Sequence, residues 1–560
     1  MRHPPPRPKT LRLAAFAALT VAAGPPAVSF IAAAPPPAAA REPAPVDDRP
    51  LDARMHAQGI EAARQGRRDE AYKTLRRVFQ DFPDSPHAPP AILKVADLLY
   101  PVNALDQIGS AAPPAIKEAT EFLTLLSQKY RSSREAPRAL VRLGYLALEP
   151  ANAKVDLDAA CGRFATAAQV YPDSDAADDA YFGSGVCESL RARDARAADV
   201  FGRLLDESPG SPLAAEALYR MGLALSHLED PSEAMLALQQ VRTRFPESPW
   251  AARALNRITL IHRLRLQPAI LAARATGGPK PGQGEVAYRL DAAYGVAQTG
   301  RGREALAVKG AGAVPASFNG ASDLAIDPQG LALVASPKSP GVFRLDARGR
   351  VQERIAHPGP EFVAAGEGLA VFISGRDQIA LNARNWSGVD LKSWDGRPPR
   401  SFGPVALDTL GRVHLLDSRD NVLLIYDPSR RHVGTVRPGG KDGRFLDVAA
   451  GEDGGIYLLE GKSNAVIELH QGKEVRRVSL VSLGTGEPAA LAADGLGNLY
   501  VLDGKTGWVY VADPAGVRLS VIRPPKDILS RLGEATAVAV DPVGRVYLGG
   551  RKGGQVVRFQ

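Results

Sequence analysis

Two periodicities divide this 560-residue sequence and predict its fold class. From residue 51 to about 266, apolar residues recur every three or four positions, and prolines at 172, 209 and 246 recur every 37 residues. From about 322 onward apolar positions alternate, and glycine turns recur about every 43 residues. The expectation is a multidomain α plus β chain: an all-α helical solenoid followed by an all-β six-bladed propeller.

The elements can be justified in order along the chain. Arg2, Arg7, Lys9 and Arg12 precede the apolar run "LRLAAFAALTVAAG" and the small-residue stretch "AAAPPPAAA". A secretory signal over 1–40 is expected, followed by a disordered Pro-rich segment over 41–50. The run is too Ala-rich for a comfortable membrane span, so no transmembrane segment is expected in the mature chain. The formal net charge of +8 includes those four cations, and their removal leaves +4. So modest a charge gives little support to nucleic-acid binding. The expected location is the periplasm, with no cysteine near the signal to be lipidated.

Residues 51–274 read as helical hairpins. Helices stop at "FPDSPHAPPA", "YPDSDAADDA", "SPGSPLAAEA" and "FPESPWAARA", where Pro83, Pro172, Pro209 and Pro246 break the helix. The serine two residues after each proline is placed to cap the next helix. Each unit offers two helices that bury their faces against neighbouring units. Residues 101–130 interrupt the pattern, with Pro113 and Pro114 where a clean repeat should run. The blocks "DEAYKTLRRVFQDFPDSPHAPPA" and "SEAMLALQQVRTRFPESPWAARAL" resemble tetratricopeptide repeats (TPRs), of the kind in envelope proteins such as the outer-membrane assembly lipoprotein and the Tol-Pal coordinator. That resemblance implies close helix contact at Ala71 and Ala234, and inward packing of Phe79 and Val241. It also implies protein partners from the cell envelope or cell wall.

Cys161 and Cys187 lie 12 and 14 residues either side of Asp173 in the turn "YPDSD". An antiparallel hairpin would set them at similar height, consistent with either a disulfide or two buried thiols. Two thiols without nearby histidines fall short of a zinc set.

"ATGGPKPGQG", residues 275–284, breaks helix and strand alike and reads as an interdomain linker. Beyond it, 285–560 carries six copies of one unit, as in "VALDTLGRVHLLDSRDNVLLIYD" and "LAADGLGNLYVLDGKTGWVYVAD". The copy glycines Gly330, Gly368, Gly411, Gly454, Gly497 and Gly544 are separated by 38, 43, 43, 43 and 47 residues. Each interval holds about four strands, one blade, and each glycine suits a tight turn between the first two. The last copy has three strands, so a closing strand is expected near 303–310. The units resemble NHL repeats: Ile456, Tyr457, Asp417, Asp503, Asn421 and Asn464 match that pattern. Ser336 and Gly550 depart from it at the acid position.

Several side chains invite chemical readings. His414 is matched by Tyr457, Tyr500 and Tyr547 in other copies, which favours packing over catalysis. Asp417, Glu460 and Asp503 precede short loops, where an acid can accept backbone N–H bonds. No nucleophile elbow, P-loop or HExxH occurs. The sequence therefore nominates no catalytic, metal-binding or cofactor-binding residue and no cofactor. The leading expectation is an exported non-enzymatic scaffold whose solenoid groove and propeller face each bind a protein partner. The alternatives are a metal-dependent propeller hydrolase or lyase targeted by the solenoid, or a carbohydrate-binding propeller using Trp386, Trp394 or Trp508. Trp508 is the best candidate for a surface contact, since other copies carry a smaller residue there.

Overall fold

The computed structural model describes residues 48–102, 113–149, 156–228, 230–267, 286–299, 302–305, 318–339, 341–346, 349–366, 369–374, 378–381, 384–385, 398–427, 431–437, 443–452, 454–470, 472–551 and 555–560. The expected signal segment 1–40, the linker 275–284, Gly368, Trp386, Trp394 and residues 306–310 lie outside the described residues. No helix among the described residues is long and apolar enough to cross a membrane.

Among the described residues of the first half there are eleven helices. They are α1 (Leu51–Arg64), α2 (Arg68–Asp81), α3 (Ala88–Leu99), α4 (Pro113–Lys129), α5 (Ala136–Leu148), α6 (Leu157–Val170), α7 (Ala177–Leu190), α8 (Asp194–Glu207), α9 (Ala214–Ser226), α10 (Pro231–Arg244) and α11 (Pro249–Ile261). A π-turn, His262–Leu266, extends the last. Successive helices pack on one another along the whole series. Ala71, Ala234, Phe79 and Val241 are all buried at these contacts. Glycine makes the closest approaches possible: a Cβ on Gly222 would lie 2.7 Å from Leu238, and one on Gly183 would lie 2.4 Å from Phe164.

The helix-joining turn recurs five times, and only four copies carry the proline. Ser85, Ser174, Ser211 and Ser248 each donate a backbone N–H to the residue three back, at 3.0 to 3.1 Å, and Ser133 does the same to Tyr130 at 2.9 Å. The fifth turn lacks the proline signal, so sequence reading passed over it. The segment expected to be irregular is helix α4 in its second half. Pro113 and Pro114 sit in its first turn, where the missing N–H has no intrahelical partner to lose. The expected serine caps are only partly realised. Ser248 caps α11 by accepting from Trp250 N at 3.2 Å, whereas the buried Ser174 hydroxyl has no partner among the described residues.

The second half is a ring of antiparallel sheets. Five have four strands each: β3 (Asp323–Ile326) to β6 (Val351–Ile355), β7 (Pro360–Gly366) to β10 (Arg384–Asn385), β11 (Phe402–Leu407) to β14 (His432–Val436), β15 (Phe445–Ala450) to β18 (Lys473–Ser479), and β19 (Pro488–Ala493) to β22 (Arg518–Ile522). A seven-residue helix, α12 (Lys526–Leu532), follows β22. The last repeat departs from the expectation of six equal blades. Its strands β23 (Ala535–Val540), β24 (Val546–Gly550) and β25 (Gln555–Phe559) join β1 (Leu290–Thr299) and β2 (Gly302–Ala305) in a composite five-stranded sheet.

The closing strand is therefore β1, not the expected segment near 303–310. Ala293 pairs with Val557, Tyr294 with Val556 and Gly295 with Gln555, while Arg289 and Gln560 exchange backbone bonds at 2.8 and 2.9 Å. β1 has ten residues and can pair on both sides, to β25 and to the short β2. That arrangement covers an edge that would otherwise be open.

Helices and sheets belong to one compact unit, Leu51–Gln560. Residue 267 and residue 286 flank the stretch read as a linker, yet the two halves meet directly, with Leu190, Arg257 and Leu260 against the propeller turns.

A chamber between the helical repeats and the propeller mouth as the candidate functional site

The propeller wall of this site is built from the turns that follow the first strand of each sheet. Asp327, Asp408, Asp494 and Asp541 end those strands, and each folds back over its own turn. One carboxylate oxygen accepts the backbone N–H groups two and four residues on, for example Leu410 N at 3.0 Å and Arg412 N at 2.9 Å for Asp408. The same pair of bonds forms at Asp327, Asp494 and Asp541. The glycine three residues on holds φ between +72° and +83° in these four turns. That left-handed backbone explains Gly330, Gly411, Gly497 and Gly544, and Gly454 shares it at +82°.

The second oxygen reaches inward. Asp408 Oδ2 meets Arg412 Nε at 2.6 Å and His414 Nε2 at 3.0 Å; Asp494 Oδ2 accepts from Tyr500 at 2.9 Å; Asp541 Oδ2 accepts from Tyr547 at 3.3 Å. Histidine and tyrosine are thus interchangeable here because each can donate to the turn carboxylate. Burial raises the Asp408 carboxyl, but Arg412 and His414 outweigh it and hold the group well below the usual range. The signal was present in the sequence as an acid six residues before His414, Tyr500 and Tyr547, with Gly451 at that place before Tyr457, and reading the aromatic position alone missed it.

The acids at the opposite turns have equally local partners. Asp417 accepts from Arg400 N at 2.6 Å and Arg419 N at 3.0 Å, and Asp503 from Gly486 N at 2.8 Å and Thr506 N at 2.8 Å. Glu460 instead pairs with Arg477 at 2.6 Å. Asn421 and Asn464 adopt positive φ, +54° and +48°, and Asn464 donates to Thr485 O at 2.9 Å. Trp508 immediately precedes the third strand of its sheet, on the face away from the helices. It is half-buried, packed on the hydrophobic cluster around Tyr510, and covered by the Arg523 guanidinium at 4.9 Å.

Helices α7, α9 and α11 form the other wall, with residues spaced three and four apart: Leu190 on α7, Tyr219 and Leu223 on α9, Trp250 and Arg253 on α11. Between the walls lies a chamber of about 340 Å³. Tyr219 stacks on Trp250 at 5.2 Å, and Arg253 covers Trp250 at 4.7 Å. Burial, then the charge of Glu452, pushes the Tyr219 hydroxyl up to about 12. Among the described residues no hydrogen bond reaches that hydroxyl.

Polar anchors join the walls. Arg257, 3% exposed, reaches both Glu452 and the Gly495 carbonyl. His227 Nε2 lies 3.3 Å from the same carbonyl, and Arg263 donates to Val543 O at 2.8 Å. Leu260 packs so closely on the last turn that a Cβ on Gly544 would lie 2.7 Å from it.

Below the chamber a channel of about 140 Å³ is lined by the first strands of all the sheets. Among the described residues it holds two half-buried carboxylates, Asp323 on β3 and Asp447 on β15. Each accepts two backbone N–H groups, its own neighbour's and one from the next sheet: Leu324 and Val363 for Asp323, Val448 and Leu491 for Asp447, at 2.7 to 3.0 Å. Burial pushes Asp447 up to about 7; burial and the Asp447 charge push Asp323 well above the ordinary range. Among the described residues there is no cluster of three or more potential metal-ligating side chains.

Cys161 and Cys187 are free thiols, both buried, on the adjacent helices α6 and α7.

Fold and site together define a helical-repeat solenoid seated on the mouth of a β-propeller. The tetratricopeptide repeat family matches residues 60–85 and 216–248, which fall on α1 with α2 and on α9 with α10. No curated protein matches the chain. Among solved structures, a streptogramin B lyase is similar at 11% identity and TM-score 0.34, covering 44% of this chain and 95% of its own. A gluconolactonase from Xanthomonas campestris is similar at 16% identity and TM-score 0.35, covering 43% and 86%. The TPR protein YrrB, described as having an unusual peptide-binding site, is similar at 15% identity and TM-score 0.27, covering 36% and 90%. All three likenesses concern fold alone.

Proposed function

We propose that this chain is an exported, non-enzymatic interaction protein of the cell envelope. In this reading residues 1–40 direct it to the periplasm, and a protein partner binds the solenoid as a peptide or helix. The ring, read as an NHL-type propeller whose composite sheet is the sixth sector, serves as a rigid mount. One observation carries the proposal. Among the described residues, the bonds and chamber walls that join the halves come from α7 onward, which leaves the inner helices α1, α3 and α5 for a partner. Charged groups on and beside those helices pair with one another: Asp97 of α3 with Arg142 of α5, and Arg138 of α5 with Asp175 of the turn before α7 at 3.7 Å. In this reading the partner takes the solenoid groove, since α7, α9 and α11 stand over one mouth of the propeller.

A photo-cross-linking residue placed at Arg138 and, separately, at Leu236 on the outer helix α10 tests this in cells. A partner captured from 138 and not from 236 supports the groove. Equal capture from both positions, or capture only from a probe at Arg523 on the far propeller face, overturns it.

A second reading is favoured by Tyr219, which lines the chamber and whose hydroxyl has no hydrogen bond among the described residues. There the chamber takes a small polar molecule, and a propeller hydrolase or lyase becomes the alternative. A thermal-shift screen of small carboxylates and phosphates tests it: a ligand that stabilises the native chain but not Tyr219→Phe supports this reading. The carbohydrate reading finds less support, since Arg523 already covers the Trp508 ring.

A further inference from the structure

The solenoid does not have one continuous core. A first hydrophobic cluster runs from Met55 to Ala168 and takes in Ala176, Ala180 and Cys187 from α7. A second begins on the same helix with Phe182 and Val186, runs through α8 to α11, and reaches Leu496 of the propeller. Helix α7 is thus a party wall, and Tyr181 and Leu190 pack against both clusters. Everything N-terminal to it belongs to the first core; its other side carries the propeller seat.

The two cysteines of the chain stand at this wall. Cys161 of α6 lies in the first cluster, and Cys187 projects into that cluster from α7. One turn further along, Arg191 pairs with Asp158 and with Glu188, fixing the register of the two helices beside the thiols. The neighbouring Cys187 thiol and then, against burial, the Arg191 charge draw the Cys161 thiol below its usual range, while Cys187 is raised by Cys161 and by burial. Cys161 is 6% exposed and Cys187 not at all, so Cys161 is the sulfur an outside disulfide reaches first and Cys187 the resolving thiol.

The geometry points to Cys161 and Cys187 as an oxidation site, a dithiol whose conversion to a disulfide staples the first core of the solenoid to the helix that abuts the propeller. The oxidant is a disulfide, either a small molecule or a thiol–disulfide oxidoreductase. The Cys161 thiolate attacks one of its sulfurs, forms a mixed disulfide and expels the other sulfur as a thiol. Cys187 then gives up its proton, attacks the Cys161 sulfur and expels the second thiol. Two protein thiols and one disulfide become one protein disulfide and two thiols, with no electron left over. The staple is independent of whether the groove takes a partner.

The full-length protein, equilibrated in reduced and oxidised glutathione buffers, tests the proposal. In the oxidised buffer the intact mass should fall by two hydrogens and alkylation should drop from two sites to none. Amide exchange in α6 and α7 should slow several-fold, and Cys187→Ser should trap a single glutathione adduct without slowing exchange. Two thiols that stay alkylatable in the native protein, or two separate adducts on the wild type, would overturn the proposal. So would unchanged exchange in a fully bridged sample, because the staple would then hold nothing that moves.

Discussion

Asp541 shows how much one repeated side chain settles. Its carboxylate takes Val543 N and Arg545 N through one oxygen, and Arg545 Nε and Tyr547 through the other. An alanine there leaves these donors without acceptors in a buried turn, at a cost of about 1–3 kcal/mol. Chemical denaturation of Asp541→Ala should show that loss, with Asp541→Asn losing less because it keeps one acceptor oxygen. Gly183 argues from space rather than charge. A Cβ would sit 2.4 Å from the Phe164 ring between three packed helices, so Gly183→Ala should cost about 1–3 kcal/mol by overpacking. An unchanged unfolding midpoint would mean that α6 and α7 separate freely.

At the scale of elements, the first strands around the channel hold a pH dependence. The carboxyl of Asp447 on β15 is pushed by burial from 3.8 to about 7, so over that interval the folded chain keeps a proton that the unfolded chain releases. Its contribution to stability is complete below 3.8 and is lost as pH rises through about 7. Each pH unit of displacement corresponds to about 1.4 kcal/mol at full effect. Denaturation between pH 4 and 8 should therefore show stability falling, with a shallower slope in Asp447→Asn; identical slopes would remove Asp447 as the source. Asp323 of β3 stands at the matching position, whereas β11, β19 and β23 place Pro404, Ala490 and Ala537 there. The acid thus recurs in some repeats and not in others.

For the whole molecule, the interface between solenoid and propeller replaces a swinging linker. Arg257 is its most buried polar anchor, meeting Glu452 and the Gly495 carbonyl from one guanidinium. Cutting the chain between residues 268 and 285 should leave the halves associated on size-exclusion chromatography. Arg257→Glu should weaken that association at least about tenfold, the equivalent of roughly 1.4 kcal/mol. Separation of the cut wild-type halves would show the interface too weak to hold without the tether.

Local chemistry made the architecture readable in the sequence. Helical spacing, helix-stopping prolines and alternating strands with glycine turns act over a few residues, so each repeat announces itself where it lies. The same locality explains what was misread. Turn 130–133 lacks its proline, the composite sheet pairs β1 with a strand more than 250 residues away, and the turn acids disclose their partners only when read six residues ahead. The propeller's seating on α7, α9 and α11 was beyond sequence reading, as were the chamber it encloses and the boundary between two hydrophobic cores at Cys187. Each of these depends on which residues from distant repeats come to face one another, and periodicity carries no information about that.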